Sequence, residues 1–225
     1  MTHHETTDAS VAPLDPARKQ LPLSAHLKHA TVAIHEQIEH GSKITREIVV
    51  KVPGDASIDQ YREAYKQFLL SAYSFEAGVL DRVKRFHQTT DLLELGYESE
   101  AADAAELILK DLAHLSGGNA VSYPALMTNL PALNSVADLA GIEYVRRGSR
   151  NGNAFIAHIV RQNLNLGPGS GASFLNLDAG QTKAHWDAFK LWLDALELSP
   201  AETERAVAIA IATFQAVGEW HRKYE

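Results

Sequence analysis

One histidine of the chain lies within the apolar stripe of a predicted helix. Leu27, Thr31, Ile34, His35 and Ile38 recur at offsets of four, seven, eight and eleven residues, the spacing that brings side chains onto one helical face. We therefore expect His35 to point toward the core. A buried imidazole needs a hydrogen-bond partner or a metal, because leaving its nitrogens unpaired and dry costs free energy. Two explanations are open: a core histidine satisfied by a polar neighbour, which is the commoner case, or a metal ligand.

A pair of glycines forms the second unusual feature. Gly148 and Gly152 interrupt an otherwise helical pattern, and each glycine inside a helix costs about 1 kcal/mol relative to alanine. Four residues apart, they leave a smooth strip of backbone on one face. That strip suits either a second helix packed tightly at a kink or a flat macrocycle lying against the backbone.

The segment around the histidine resembles the proximal helix of heme oxygenases. Residues 27–39 carry the order LK-x-AT-x-x-x-H-x-x-x-E, which is similar to that family's pattern. The resemblance implies that His35 is the axial ligand of heme iron, that Lys28 contacts a heme propionate and that Glu39 lies next to the ligand. Lys28 and His35 are seven residues apart, so two helical turns place them on the same side of the helix.

The glycine segment resembles the distal helix of the bacterial heme oxygenases. Residues 144–152 read Tyr-Val-x-x-Gly-Ser-x-x-Gly. The resemblance implies that Gly148, Ser149, Gly152 and Asn153 form the catalytic distal side, with the glycine backbone over the heme. Two departures from the family pattern stand out. Ser149 occupies the position of an acidic residue of the animal enzymes, and Asn153 that of a glycine, while residues 150–151 replace a smaller or more apolar pair.

The similarity extends over about residues 21 to 223. It implies that Arg146, Arg147 and Lys190 are further propionate contacts and that Phe214 is an aromatic residue of the pocket. Outside the pocket, the helix that contains Asp111 matches a structural helix of the family. Further matches in the segment that follows the distal helix are Phe174, Thr182 and Trp186.

Membership of this family implies a specific reaction. The enzyme cleaves heme, which is both substrate and cofactor, to biliverdin, CO and ferrous iron, using O2 and electrons from an external donor such as a reductase or a ferredoxin. The first alternative is a heme-binding or heme-transfer protein on the same fold without turnover. A thiamin-degrading relative of the same helical architecture is disfavoured, because that family uses a cysteine nucleophile and this chain contains no cysteine.

Two other metal-site classes fit the sequence poorly. A ferritin-like di-iron bundle needs two Glu-x-x-His helices, and the nearest match is the single Asp111…His114 pair. In the string from His35 to His40 the second imidazole comes one residue too late for the H-E-x-x-H zinc pattern.

Composition agrees with one soluble globular domain. The chain has 225 residues, 45% hydrophobic residues and a formal charge of −7, and no apolar run approaches the length of a membrane span. We therefore expect neither a nucleic-acid nor a membrane partner. Zero cysteines exclude disulfides, Fe–S clusters and thiolate-ligated heme, and fit a cytoplasmic location.

Helical periodicity dominates the rest of the chain, so the expected fold is a single all-α domain at residues 21–225, preceded by a flexible polar arm at residues 1–20. Ser24 is the expected N-cap of the first helix and Gly41 its stop, and Ser199 is the expected N-cap of the last. Helices are predicted at 24–40, 58–85, 101–115, 123–128, 135–166 with the glycine interruption, 181–196 and 200–224.

Overall fold

The computed structural model describes residues 21–51, 57–98, 104–119 and 122–224. Within these ranges every regular element is helical, as the sequence predicts, whereas the predicted arm at residues 1–20 lies outside them. The α-helices of the described ranges are α1 (Leu23–Gly41), α2 (Lys43–Ile48), α3 (Ile58–His87), α4 (Ala104–Leu115), α5 (Val136–Ser149), α6 (Asn153–Leu164), α7 (Thr182–Ala195) and α8 (Pro200–His221). Short 3-10 turns follow α5, precede α7 and follow α8, at Arg150–Gly152, Phe174–Asn176 and Arg222–Tyr224. None of the described helices is long and apolar enough to cross a membrane.

The crossing of α5 and α8 forms the centre of the fold. These two helices share more contacts than any other pair of described elements. Gly141 permits the close approach, because a Cβ at this position would overlap the Ala206 carbonyl oxygen and lie 3.0 Å from the Ala210 nitrogen. Helix α8 begins where predicted, with Ser199 and Glu202 forming a capping box. The core therefore depends on small residues at one crossing point.

The start of α1 differs from the prediction for a tertiary reason. The helix begins at Leu23, and Ser24 lies inside its first turn instead of capping it. The carboxylate of Asp194, in α7, accepts hydrogen bonds from the Ser24 backbone N–H and from its hydroxyl, both at 2.8 Å. A side chain 170 residues away thus takes part in satisfying the helix terminus. This contact also ties α1 to α7.

The helix predicted at 123–128 is absent: this segment has no regular secondary structure and lies against α3. The Met127 N–H donates to the Ser74 carbonyl at 3.0 Å. Gly78 leaves room for this approach, because a Cβ there would lie 3.3 Å from the Met127 carbonyl oxygen. The Arg82 guanidinium completes the attachment by donating to the carbonyls of Gly78, Met127, Thr128, Leu130 and Pro131. Hydrogen bonds to α3 replace those of a local helix.

The predicted interruption of the long helical stretch is confirmed. Helix α5 ends at Ser149, the 3-10 turn Arg150–Gly152 follows, and α6 starts at Asn153. All three elements keep right-handed helical backbone angles at the junction. We call residues 148–153 the distal turn.

Candidate functional site

Helix α1 carries three of the predicted site residues on one stripe. Lys28, His35 and Glu39 recur at seven- and four-residue spacing, so they share a face of the helix. This face is exposed: Lys28 lies at the surface, and the His35 and Glu39 side chains are 46% and 54% exposed. The stripe therefore lies at the surface edge of α1.

The expectation that His35 points into the core is wrong. Leu27 and Thr31 are buried, but eight residues at about 100° each turn His35 roughly 80° away from Leu27. His35 thus lies at the border of the buried face. The explanation of a satisfied core histidine loses its basis, because this side chain is half exposed.

Two neighbours orient the His35 ring. The Phe214 ring of α8 meets it edge-on, with centroids 5.5 Å apart and planes at 86°. The Glu39 Oε2 lies 3.6 Å from Nδ1. Because Nδ1 faces this carboxylate, Nε2 on the other side of the ring is directed away from Glu39. A carboxylate beside one histidine nitrogen and a metal on the other is a common arrangement in metal sites.

Tyr144 of α5 lies near Thr31 of α1, one turn before the predicted distal and proximal residues. Burial raises the pKa of Tyr144, although the nearby Thr31 side chain and the charge of Lys190 act in the opposite direction. Thr31 precedes His35 by four residues, and Tyr144 precedes Gly148 by four. The contact therefore brings the histidine stripe and the distal turn to the same part of the fold.

Lys190 belongs to this neighbourhood. Its ammonium lies 2.8 Å from Asp187 Oδ1, its side chain is 39% exposed, and its charge acts on Tyr144. The ammonium is thus paired with a carboxylate at a partly exposed position, and its contact with a propionate stays a prediction.

The two glycines of the distal turn have different surroundings. A Cβ on Gly148 would touch the Trp186 ring at 3.4 Å, an ordinary van der Waals distance. At Gly152 the backbone is helical (φ −82°), and apart from its own stretch of chain no atom of the described residues lies within 4 Å of a Cβ. Neither backbone strain nor a described packing partner explains glycine at 152. Open space in front of its backbone is what a flat ligand needs.

The polar residues of the distal turn differ in exposure. Ser149 is exposed and its hydroxyl donates to the Arg146 carbonyl at 2.8 Å, so the hydroxyl oxygen keeps its capacity to accept a hydrogen bond. Asn153 is 8% exposed and opens α6. Ser149 thus offers an acceptor at the surface, and Asn153 an amide inside the turn.

The structure corrects the predicted roles of Arg146 and Arg147. Arg146 is 1% exposed and donates to Glu143 at 2.8 Å through two nitrogens and to Glu76 at 3.0 Å. Arg147 donates to Glu143 at 2.8 Å and to the Glu98 carbonyl at 2.8 Å. Both guanidinium groups are held by protein acceptors, so neither is placed for a propionate.

These arginines belong to a buried charge network that the sequence reading missed. Glu76 and Glu143 are 2% and 0% exposed, and Arg150, at 3%, joins them. Burial alone would raise the Glu143 pKa, but the adjacent Arg146 and Arg147 outweigh burial and lower it to about 2. The one signal in the sequence is the spacing of Glu143 three and four residues before two arginines. Nothing in the local pattern indicates Glu76 as the partner.

A separate cavity of about 480 Å³ lies beside the distal turn. Its walls include the aromatic rings of Tyr97, Trp186, Phe189 and Trp192, together with Arg150, and no residue of α1 lines it. The cavity is therefore distinct from the space that the His35 stripe faces.

Comparison with known protein families gives a match over almost the whole chain. The family model described as heme oxygenase matches residues 21–223. The chain belongs to the heme oxygenase family. No curated protein matches it by sequence.

Solved heme oxygenases share this fold at low sequence identity. The enzyme from Leptospira interrogans is 19% identical, with a TM-score of 0.69 over 90% of this chain and 100% of its own. The NO- and CO-bound Neisseria meningitidis enzyme is 22% identical, with a TM-score of 0.69 over 91% and 92%. Heme oxygenase-1 of the cyanobacterium Synechocystis sp. PCC 6803, in complex with heme, is 16% identical, with a TM-score of 0.68 over 91% and 93%. At these identities the neighbours establish the heme oxygenase fold.

A ferritin-like di-iron site, the alternative considered from the sequence, needs a cluster of metal-ligating side chains. A di-iron bundle requires several clustered carboxylates and histidines. Among the described residues, no group of three or more such side chains is placed to hold a metal ion.

Proposed function

We propose that the protein is an active heme oxygenase, which cleaves heme to biliverdin, CO and ferrous iron with O2 and electrons from an external reductase or ferredoxin. The observation that carries the proposal is the half-exposed His35, whose Nδ1 faces Glu39 while Nε2 is directed away from it. A histidine presented in this way, on the family's proximal helix, fits an axial ligand of heme. We also propose a cytoplasmic location, which fits the absence of cysteine.

The residues of α1, α7 and α8 fit the proximal and peripheral contacts of heme. In this proposal His35 Nε2 ligates the iron, Glu39 orients the imidazole, and Phe214 packs against it. Lys28 and Lys190 pair with the two propionates. Heme carries two negative charges there; Lys28 is exposed, and Lys190 is partly exposed beside Asp187.

The distal turn fits the opposite heme face. The uncovered backbone at Gly152 lets a flat macrocycle approach without meeting a side chain. Gly148 continues that backbone surface one turn earlier. In this proposal the exposed Ser149 hydroxyl, whose proton is donated to the Arg146 carbonyl, accepts a hydrogen bond from a distal water, and the Asn153 amide provides a second polar contact.

Heme and the side chains of the protein make different contributions to the reaction. Heme, when bound, supplies the iron and the ring carbon that is oxidised. His35 holds the iron, the lysines set the rotation of the ring, and the distal turn limits the space above it. Ser149 keeps a proton-carrying water near the distal face through its oxygen.

Titration with hemin followed by reduction in air tests the proposal. We expect the Soret spectrum of a histidine-ligated heme, then its loss and the appearance of biliverdin absorption when a reductase or ascorbate is supplied. A stable histidine-ligated complex that yields no biliverdin would indicate a heme-binding protein without turnover. Failure to bind hemin would reject both functions.

A further inference from the structure

We propose that Glu76 is a positioning residue that fixes the distal turn from the core side and so sets the distance of its backbone from the heme. The inference rests on the proposed function, since it concerns the heme face of that turn. Glu76 lies in α3, more than seventy residues before the turn, and touches neither the histidine stripe nor the glycines.

The contact between Glu76 and Arg150 is a two-point clamp. Glu76 Oε1 accepts from Arg150 Nε at 3.0 Å, and Oε2 accepts from Arg150 Nη2 at 2.8 Å. Two parallel hydrogen bonds between a carboxylate and a guanidinium define direction as well as distance. Both side chains are at least 97% buried, so solvent does not weaken the pair.

Arg150 occupies the position in the turn where a clamp is most effective. It is the C-cap of α5 and the first residue of the 3-10 turn, with its backbone N–H directed at the carbonyls of Arg147 and Gly148. Gly148 and Gly152 lie two residues to either side. Because residues two apart on a helical turn point in nearly opposite directions, anchoring the Arg150 side chain in the core leaves the glycine backbone facing the other way.

The clamp also explains why this chain has an arginine in the turn. Residue 150 is a departure from the smaller or more apolar residues of the family pattern, and its side chain is directed into the core toward α3. Glu76 additionally accepts from Arg146 Nη1 at 3.0 Å, so one carboxylate holds both the last turn of α5 and the distal turn.

Glu143 provides a matched control for Glu76. Each is a buried carboxylate of the same network, and replacing either by glutamine removes one negative charge from two carboxylates and three guanidinium groups. Among the hydrogen bonds of the described residues, Glu76 bonds to Arg150, whereas Glu143 bonds to Arg146 and Arg147 within α5. An effect on the turn that appears in Glu76→Gln but not in Glu143→Gln is therefore caused by loss of the Glu76–Arg150 contact and not by loss of one negative charge.

The test measures amide hydrogen exchange in the heme-free protein. The Arg150 and Asn153 amides report the turn, because the Asn153 N–H is directed at the Arg150 carbonyl, and Ala210 in α8 reports the core. In Glu76→Gln we expect the two turn amides to exchange at least about tenfold faster relative to Ala210, since one charge-assisted hydrogen bond corresponds to a factor of ten or more. In Glu143→Gln this ratio stays at the wild-type value.

A second variant and a spectroscopic signal complete the test. Arg150→Lys keeps the charge but loses the two-point contact, so it should reproduce the exchange effect even if Glu76→Gln fails to fold. With heme and CO bound, the C–O stretching frequency should shift more in Glu76→Gln and Arg150→Lys than in Glu143→Gln. Equal exchange ratios, or an equal or larger shift in Glu143→Gln, would overturn the inference. A wild-type protein that binds no hemin would instead defeat the proposed function, while the exchange comparison would still report whether Glu76 holds the turn.

Discussion

His35 shows how strongly the role of one side chain depends on a rotation of its helix. A turn of roughly 80° from Leu27 moves the imidazole from the core to its border, where one nitrogen faces Glu39 and the side chain is half exposed. A fully buried imidazole would need a partner from the protein. At the border, the same imidazole can bind a metal from outside the core without a change in packing.

Replacing His35 with alanine should leave the fold intact and remove the ligand. Heme still binds through burial and its propionates, but without the spectrum of histidine ligation. Partners of metal-binding histidines typically contribute about 10–100-fold, so loss of the ligand itself should reduce biliverdin formation by at least about 100-fold. His29→Ala, which removes another exposed histidine of α1, is the control. Unchanged biliverdin yield in His35→Ala would reject the ligand assignment.

The lysines Lys28 and Lys190 should affect orientation more than affinity. Both are at least partly exposed, and an exposed ion pair contributes only about 0–1 kcal/mol. We expect a Lys28→Ala, Lys190→Ala double variant to bind hemin several-fold more weakly and to change the ratio of biliverdin isomers. Lys183→Ala, a 90% exposed lysine of α7, serves as control. Normal affinity together with an unchanged isomer ratio would show that the two lysines are only solvated.

The junction of α5 and α6 combines a rigid core side with an uncovered outer side. Arg150 is anchored at two points to Glu76, whereas Gly152 has open space before its Cβ position among the described residues. Tight helix packing, one of the two explanations for the glycine pair, requires that atoms of a neighbouring element contact both glycines. Trp186 supplies them at Gly148, and the described residues supply none at Gly152.

Substitution of Gly152 by leucine distinguishes a ligand surface from a packing surface. The backbone is helical there and leucine is a better helix former than glycine by roughly 0.8 kcal/mol, so the apoprotein should melt at the same or a higher temperature. Heme binding or turnover should fall sharply, because the side chain occupies the space in front of the backbone. Asn151→Leu, at an exposed neighbouring position, is the control. A large loss of apoprotein stability with proportionate residual turnover would contradict the assignment.

Across the fold, two kinds of long-range contact hold the site elements in place. The crossing of α5 and α8 at Gly141 is steric, while the network of Glu76, Glu143 and their arginines is electrostatic. Buried ion pairs often add little net stability, but removing one partner leaves a buried charge uncompensated. The network thus specifies how α3 and α5 are arranged.

The low pKa of Glu143 makes stability depend on pH in the acid range. Its pKa is about 2 in the folded protein against an ordinary value of 4.5, so the unfolded chain binds the proton first as the pH falls. The stabilisation by this carboxylate is complete above about pH 4.5 and is lost as the pH falls toward 2. The free energy of unfolding of the wild type, minus that of Glu143→Gln, should therefore be constant at neutral pH and shrink below pH 4.5. A difference that is independent of pH from 7 to 3 would contradict this pKa.

Local patterns in the sequence were sufficient for the elements whose cause is local. Periodicity predicted helices matching α3, α7 and α8, the Ser199 cap follows from its own side chain, and the paired glycines predicted the interruption between α5 and α6. The seven-residue spacing likewise predicted that Lys28 and His35 share a face. Each of these features is set by residues within about two helical turns of one another.

Contacts between distant residues decided the remainder. Asp194 takes part in satisfying the start of α1, α3 binds the segment at 123–128 in place of a local helix, and Glu76 bonds to Arg146 in the core. These contacts span 170, about 50 and 70 residues. From the sequence alone, an arginine beside a glycine-rich turn is predicted to lie at the surface, because the carboxylate that pairs with it in the core is far away along the chain. A buried charge is stable only beside its partner, and that partner becomes adjacent only when the helices pack.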